Sequence, residues 1–183
     1  MKIRNLILIC SLAGMNLAVH GQEDVVVKGT KMITGLCNFS SQGYNGSSTR
    51  LSTLNLSTSF DRFYYDNLFL GWGFSIGYQG VTGNNSSELA IGPDLGYAFG
   101  NENSKLYPFI AAGCHINYTS YSSSNSNYTT TGAGVSVGLG LLIPVKKHLG
   151  LIIEGKYDNL QCFDLDLKQN TLSLNFGIVG LLF

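Results

Sequence analysis

From Leu68 to Tyr78 the chain alternates without a break: Leu68, Leu70, Trp72, Phe74, Ile76 and Tyr78 are bulky and apolar, and Gly71, Gly73, Ser75 and Gly77 between them are small. Successive side chains of a β-strand point to opposite faces. This segment therefore has one greasy face and one nearly bare face. A soluble sheet buries its bulky apolar residues and shows polar ones to water. A chain built of segments like this one instead predicts strands whose outer solvent is lipid.

The N-terminus carries Lys2 and Arg4, then an apolar run from Leu6 interrupted by Ser11, Gly14 and Asn16, then Val19-His20-Gly21 before Gln22. A basic start, a short apolar stretch and a small residue before the cut define a secretory signal peptide over residues 1–21. The run is shorter than the ~20 residues a spanning helix needs. Ile9 stands before Cys10 where a lipoprotein signal has a small residue. Residues 22–28 are expected to form a polar lead-in, which the resemblance given below places in the periplasm, and 29–183 one barrel domain.

Lys+Arg and Asp+Glu both number 11, and cleavage removes Lys2 and Arg4, leaving a slightly acidic product with no basic face for nucleic acid. Charged residues make up only 12% of the chain, about half of what an ordinary soluble surface carries. Mean hydropathy is nonetheless only +0.14. A near-zero average combined with strong alternation is how a membrane barrel escapes a hydropathy scan. Cys37, Cys114 and Cys162 survive cleavage. An odd number excludes a fully paired framework, which leaves wall or loop cysteines with or without one disulfide.

About eight strands follow. The first runs over 29–39 and the second over 50–60, where Leu54, Leu56 and Phe60 alternate with Thr53, Asn55, Ser57 and Ser59. Residues 61–67 turn the chain into 68–78. The fourth strand, 89–99, has Pro93 in its apolar phase, and because proline cannot donate to a ladder a bulge or local break is predicted there. The fifth covers 107–119. The sixth sets Ala133, Val135, Val137, Leu139, Leu141 and Ile143 against Gly132, Gly134, Ser136, Gly138 and Gly140. The seventh starts at Leu149, and the last covers 171–183. Residues 40–49, 79–87, 120–127 and 160–170 are the long polar loops, and the other connections are short. A strand of ~10 residues rising ~3.3 Å each and tilted ~40° covers the apolar band of roughly 25 Å.

The hairpins from Phe60 to Gly71 and from Gly92 to Phe99, with Leu141 to Gly150 in the matching third place, resemble the turn segments of the porin-like outer-membrane β-barrel domain family of Gram-negative bacteria. The resemblance covers nearly all of the mature chain and rests on pattern more than on invariant residues. It implies an all-β, eight-stranded antiparallel up-and-down transmembrane β-barrel of the small OmpA/OmpX type in the outer membrane, with periplasmic termini and turns and with the long loops at the cell surface. Phe183 corresponds to the C-terminal aromatic by which such chains are recognised for assembly. Leu172, Leu174, Phe176 and Ile178 fall on even positions, whereas Leu181 and Phe183 are odd. Either a bulge near Gly180 resets the phase or Phe183 does not face lipid.

On this phase Leu68, Leu70, Trp72, Phe74, Ile76, Tyr78, Val135, Val137, Leu139 and Leu141 form the lipid-facing wall. Asp94, His115, Glu154, Lys156 and Asp158 point into the lumen. Eight strands leave an interior that side chains fill, so these charges form an ionic plug; the rival is a narrow path through the space that the glycines leave. His115 and Cys114 are chain neighbours on opposite faces and do not share an ion. His148 lies in a turn, so no zinc spacing exists, and Asp164 and Asp166 fall short of the six oxygens calcium asks for. A serine nucleophile needs a base and an orienting group in reach, and abundant loop serines make a chance Ser/His pair uninformative. No enzyme activity, cofactor or metal is expected. Phe63, Tyr64, Tyr65, Tyr97, Phe99 and Tyr107 gather near the turns as an interfacial girdle.

The chain is expected to be an integral outer-membrane barrel with a structural or surface-interaction role. Its partners would be outer-membrane lipid and, during biogenesis, the barrel-assembly machinery; no surface-loop partner is identifiable. The alternatives are a narrow porin-like channel, a secreted lipocalin-like binder and a lipid-modifying enzyme.

Overall fold

The computed structural model describes residues 26–43, 50–81, 84–101, 104–123, 126–164 and 168–183. Eight strands follow in chain order: β1 (Lys31–Gly43), β2 (Arg50–Tyr65), β3 (Leu68–Val81), β4 (Asn84–Ala98), β5 (Tyr107–Ser123), β6 (Asn127–Lys146), β7 (Leu149–Cys162) and β8 (Lys168–Leu182). Each pairs antiparallel with the next, and β8 returns to β1 to close the barrel. Closure leaves no backbone edge along the paired length, the condition for a sheet to exist in hydrocarbon.

The wall is inverted relative to a soluble barrel. Leu70, Trp72, Phe74, Ile76, Tyr78, Val135, Val137, Leu139 and Leu141 are all exposed on the outer face, Leu68 is half-buried at its turn, and Leu172, Leu174, Phe176 and Ile178 extend the same belt along β8. Glycine, serine and threonine face inward between them.

The β2–β3, β4–β5 and β6–β7 connections and both ends of the described chain lie at one end of the barrel, the turn end. There β2 continues to Tyr65, so that the segment expected to turn at 61–67 is mostly strand and only Asp66 and Asn67 remain outside. Asn67 takes φ 70°, a left-handed conformation asparagine tolerates better than most residues. Its amide donates to Val26 O at 2.7 Å and its side chain to Gly100 O at 3.2 Å, and Asp66 Oδ1 accepts from Lys28 N at 2.9 Å. The turn thereby ties the lead-in to two hairpins, and Val26 is drawn into the barrel mouth.

Two sequence expectations about phase resolve here. β8 keeps a continuous register against both β1 and β7 through Gly180, so no bulge resets it. Leu181 points inward and is fully buried, Leu182 stays on the outer face, and Phe183 lies just past the strand with its ring 5.8 Å from that of His148. The register shifts sit near the turn end, between Phe63 and Tyr65 and between Pro144 and Lys146. At Pro93 the β4–β5 ladder skips from Ile91↔Ile116 to Asp94↔Gly113 with the register unchanged. This is the local break expected of a proline, without an inserted residue.

The strands also run further toward the loop end than expected. β5 reaches Ser123 and β6 begins at Asn127, which leaves few residues of the loop placed at 120–127, and β4 begins at Asn84 within the loop placed at 79–87. Serine, threonine and asparagine mark solvation, and a ladder in water accepts them. Strands of 13 to 20 residues exceed the ~9–11 needed to cross a bilayer, long enough to project beyond it.

Candidate functional site: the layered lumen

The turn end of the lumen is packed with apolar side chains. Val26, Met32, Phe63, Phe69, Ala98, Tyr107, Phe109, Leu142, Val179 and Leu181 form one buried cluster. Phe69 makes edge-to-face contacts with Phe63 at 5.5 Å and with Phe109 at 6.5 Å between centroids, the arrangement that ring quadrupoles favour. Two residues assigned to the girdle, Phe63 and Tyr107, belong to this plug instead, with no exposed surface. The odd phase of β2 and β5 turns them inward, while Tyr64, Tyr65, Tyr97 and Phe99 remain exposed.

Above the plug the interior becomes polar, and the small residues of one strand make room for the large ones of the next. Asp61, Gly71 and Asp94 stand side by side on β2, β3 and β4. A Cβ at Gly71 would collide with Asp61 Oδ1, so the Asp61 carboxylate lies over the bare glycine. Similarly, the His115 ring covers Gly134, Glu154 covers Gly138, the Phe109 ring covers Gly140 and the Phe69 ring covers Gly96.

Asp94, His115, Glu154, Lys156 and Asp158 all lie on the inner face and are partly buried. His115 Nε2 and Asp158 Oδ1 are 3.6 Å apart. Glu154 Oε2 accepts from Asn175 Nδ2 at 3.2 Å. Two further acids join them. Asp61, read from the sequence as a turn residue, is 6% exposed and accepts from Ser59 Oγ at 2.6 Å through Oδ2. Glu88, hidden in the sequence between a Ser/Asn-rich stretch and Leu89, takes a hydrogen bond from Asn117 Nδ2, whose Oδ1 accepts from Thr119 Oγ1 at 2.7 Å. Continuing the period-2 phase backward from Leu95 to Glu88 and one residue forward from Phe60 to Asp61 would have placed both inside. Asp61, Glu88, Asp94, Glu154 and Asp158 outnumber Lys156 and His115, and the lumen is acidic.

Two carboxylate oxygens, Asp61 Oδ1 and Asp94 Oδ1, are buried with no N–H or hydroxyl donor, and the two carboxyls lie within hydrogen-bonding reach of each other. Ser136 lies on the same inner face as His115 and Asp158, and among the described residues no hydrogen bond joins it to either. No group of three or more His, Cys, Asp or Glu among the described residues is arranged to hold a metal. Cys37, Cys114 and Cys162 are free thiols. Of the two carboxylates weighed for calcium, Asp164 accepts from Thr131 N at 3.3 Å, and Asp166 lies outside the described residues.

A closed antiparallel barrel with bulky apolar residues outside and charges within is a transmembrane β-barrel. The chain belongs to the outer membrane protein beta-barrel domain family, whose model matches residues 6–179, which makes it an outer-membrane protein. The crystal structure of neisserial surface protein A, NspA, superposes with a TM-score of 0.61 over 88% of this chain and 99% of that one at 15% identity. The N-terminal β-barrel domain of OprF from Pseudomonas aeruginosa gives 0.60 over 87% of this chain and 100% of that one at 13% identity. OprG from the same organism gives 0.56 over 85% and 97% at 17% identity. These likenesses are of fold. No curated protein matches the chain in sequence.

Proposed function

We propose that this protein is a closed outer-membrane barrel whose role is structural or is exercised through its projecting loop-end strands, and that it does not conduct. The apolar plug carries this reading. Water and ions would have to cross Phe63, Phe69, Tyr107, Phe109, Leu142, Val179 and Leu181, all buried in one cluster, before reaching the charged layer. A channel needs a continuous polar path, and Gly71, Gly77, Gly134, Gly138 and Gly140, which seemed to leave one, are covered by neighbouring side chains.

The turn end faces the periplasm in this proposal, after cleavage of a signal peptide near Gly21. The exposed belt is solvated by outer-membrane lipid, and Phe183 serves recognition by the barrel-assembly machinery. The role is non-catalytic. Liposome swelling with purified protein tests the closed lumen: sugars of monosaccharide size should leave the swelling rate at that of empty liposomes, and size-dependent swelling would refute the reading.

A further inference from the structure

The ladder that closes the barrel is short. β1 and β8 pair through seven rungs, from Lys31↔Leu182 to Cys37↔Phe176. β1 pairs with β2 through thirteen, out to Gly43↔Arg50, and β8 stays paired with β7 out to Gln161↔Lys168. Both strands therefore continue toward the loop end, each held on its far side, with no rung between them beyond Cys37. Among the described residues a side-chain bond spans the start of this gap, from Asn38 Nδ2 to Leu174 O at 2.8 Å. Seven rungs at ~3.3 Å and a tilt of ~40° rise roughly 18 Å, short of the ~25 Å apolar band. The gap thus begins inside the membrane, where bare backbone is tolerated only against protein or a hydrated cavity.

Behind the gap lies the acidic lumen. Asn175, one residue beyond the last rung, donates to Glu154. Deeper in, the 6% exposed Asp61 and its neighbour Asp94 each keep a carboxylate oxygen that no N–H or hydroxyl donor reaches, the two carboxyls lying against each other. The turn end is filled by the plug, and the unpaired seam is the part of the wall that stands between these acids and the bilayer. Its outer lips are apolar: Phe39 is 68% exposed and Leu172 81%, with Leu174 between them.

We propose that the loop-end half of the β1–β8 seam is a lateral binding site for a cationic amphiphile. An alkylammonium head group enters the acidic lumen beside Glu154, and the tail remains in the adjoining leaflet along Phe39, Leu172 and Leu174. Asn38 is the latch that the head group displaces from Leu174 O. An anionic amphiphile meets the excess of carboxylates and is excluded, and a cation without a tail lacks the apolar half of the contact.

The test uses the mature protein in zwitterionic phosphatidylcholine nanodiscs, titrated separately with dodecyltrimethylammonium, dodecyl sulfate and tetramethylammonium while amide NMR shifts are followed. The proposal requires saturable shifts confined to Asn38, Phe39 and Leu172 to Asn175 with dodecyltrimethylammonium alone. Glu154→Gln should weaken that binding about tenfold, the loss of one charge-assisted contact. A disulfide between Phe39→Cys and Leu174→Cys, with Cys37, Cys114 and Cys162 changed to Ser, should abolish the binding that the same variant, reduced, retains in weakened form after losing two tail contacts. Equal binding of dodecyl sulfate or tetramethylammonium, shifts spread over the whole outer wall, or an unchanged Glu154→Gln titration would overturn it. If the cross-linked variant does not fold, the Glu154→Gln comparison decides by itself.

Discussion

Gly71 shows how a single position couples wall to lumen. Its missing side chain is the space in which the Asp61 carboxylate lies, and a Cβ there would also press on the Asp61 backbone at 2.8 Å. Gly73, two residues on, has only Gly92 O at 3.9 Å. Gly71→Ala should therefore cost about 1–3 kcal/mol of stability, as overpacking does, and Gly73→Ala should change little; urea titration in lipid vesicles distinguishes the two. Asn117 supplies the opposite case. Replacing it with Leu strips the Glu88 carboxylate of its donor, and leaving a partly buried charge unpaired should lower stability by about 2–4 kcal/mol in the same assay. At this scale the sequence was half legible. Small residues on the inner phase announced space, but which side chain fills it depends on the neighbouring strand's register, and Asp61 beside a run of aromatics looked like part of a turn.

At the scale of the strand, period-2 alternation carried most of the information. It located the outer faces of β3 and β6, because a one-residue slip would turn every bulky side chain inward. Phe74, midway along the alternating part of β3, gives the corresponding test: Phe74→Arg should destabilise by about 2–4 kcal/mol, while Tyr78→Arg nearer the interface should cost about 1 kcal/mol or less. Strand ends were not legible. Asn127, Thr129 and Ser122 are as compatible with a solvated ladder as with a loop, and only pairing between β5 and β6 reveals which they form. The phase conflict at the end of β8 had a simpler origin than a bulge. Leu181 is apolar because it packs in the plug, so apolarity there marks the inside of the barrel rather than the outside. The short β1–β8 ladder belongs to this scale too. Hydrogen exchange should be faster at β8 amides that face β1 beyond Phe176 than at those below it, and uniform protection along β8 would show that the seam is closed.

For the molecule as a whole, two solvents organise the chain. Lipid outside selects the bulky belt, and inside, a dry aromatic plug at the turn end gives way to an acidic, hydrogen-bonded layer toward the loops. Low charge with near-zero mean hydropathy already indicated the outer solvent. The division of the lumen was hidden because its halves draw alternate residues from all eight strands. An ionic plug was expected, and the turn end of the lumen holds an aromatic and aliphatic cluster instead, the proposed seal, with the charges stacked above it. The central claim is that this seal closes the barrel, and planar-bilayer recording tests it most directly. Purified wild-type protein should be silent in molar potassium chloride, and Phe63→Gly with Phe109→Gly, which removes both rings against Phe69, should open cation-selective steps through the acidic layer. Steady conductance from the wild-type protein would contradict the account.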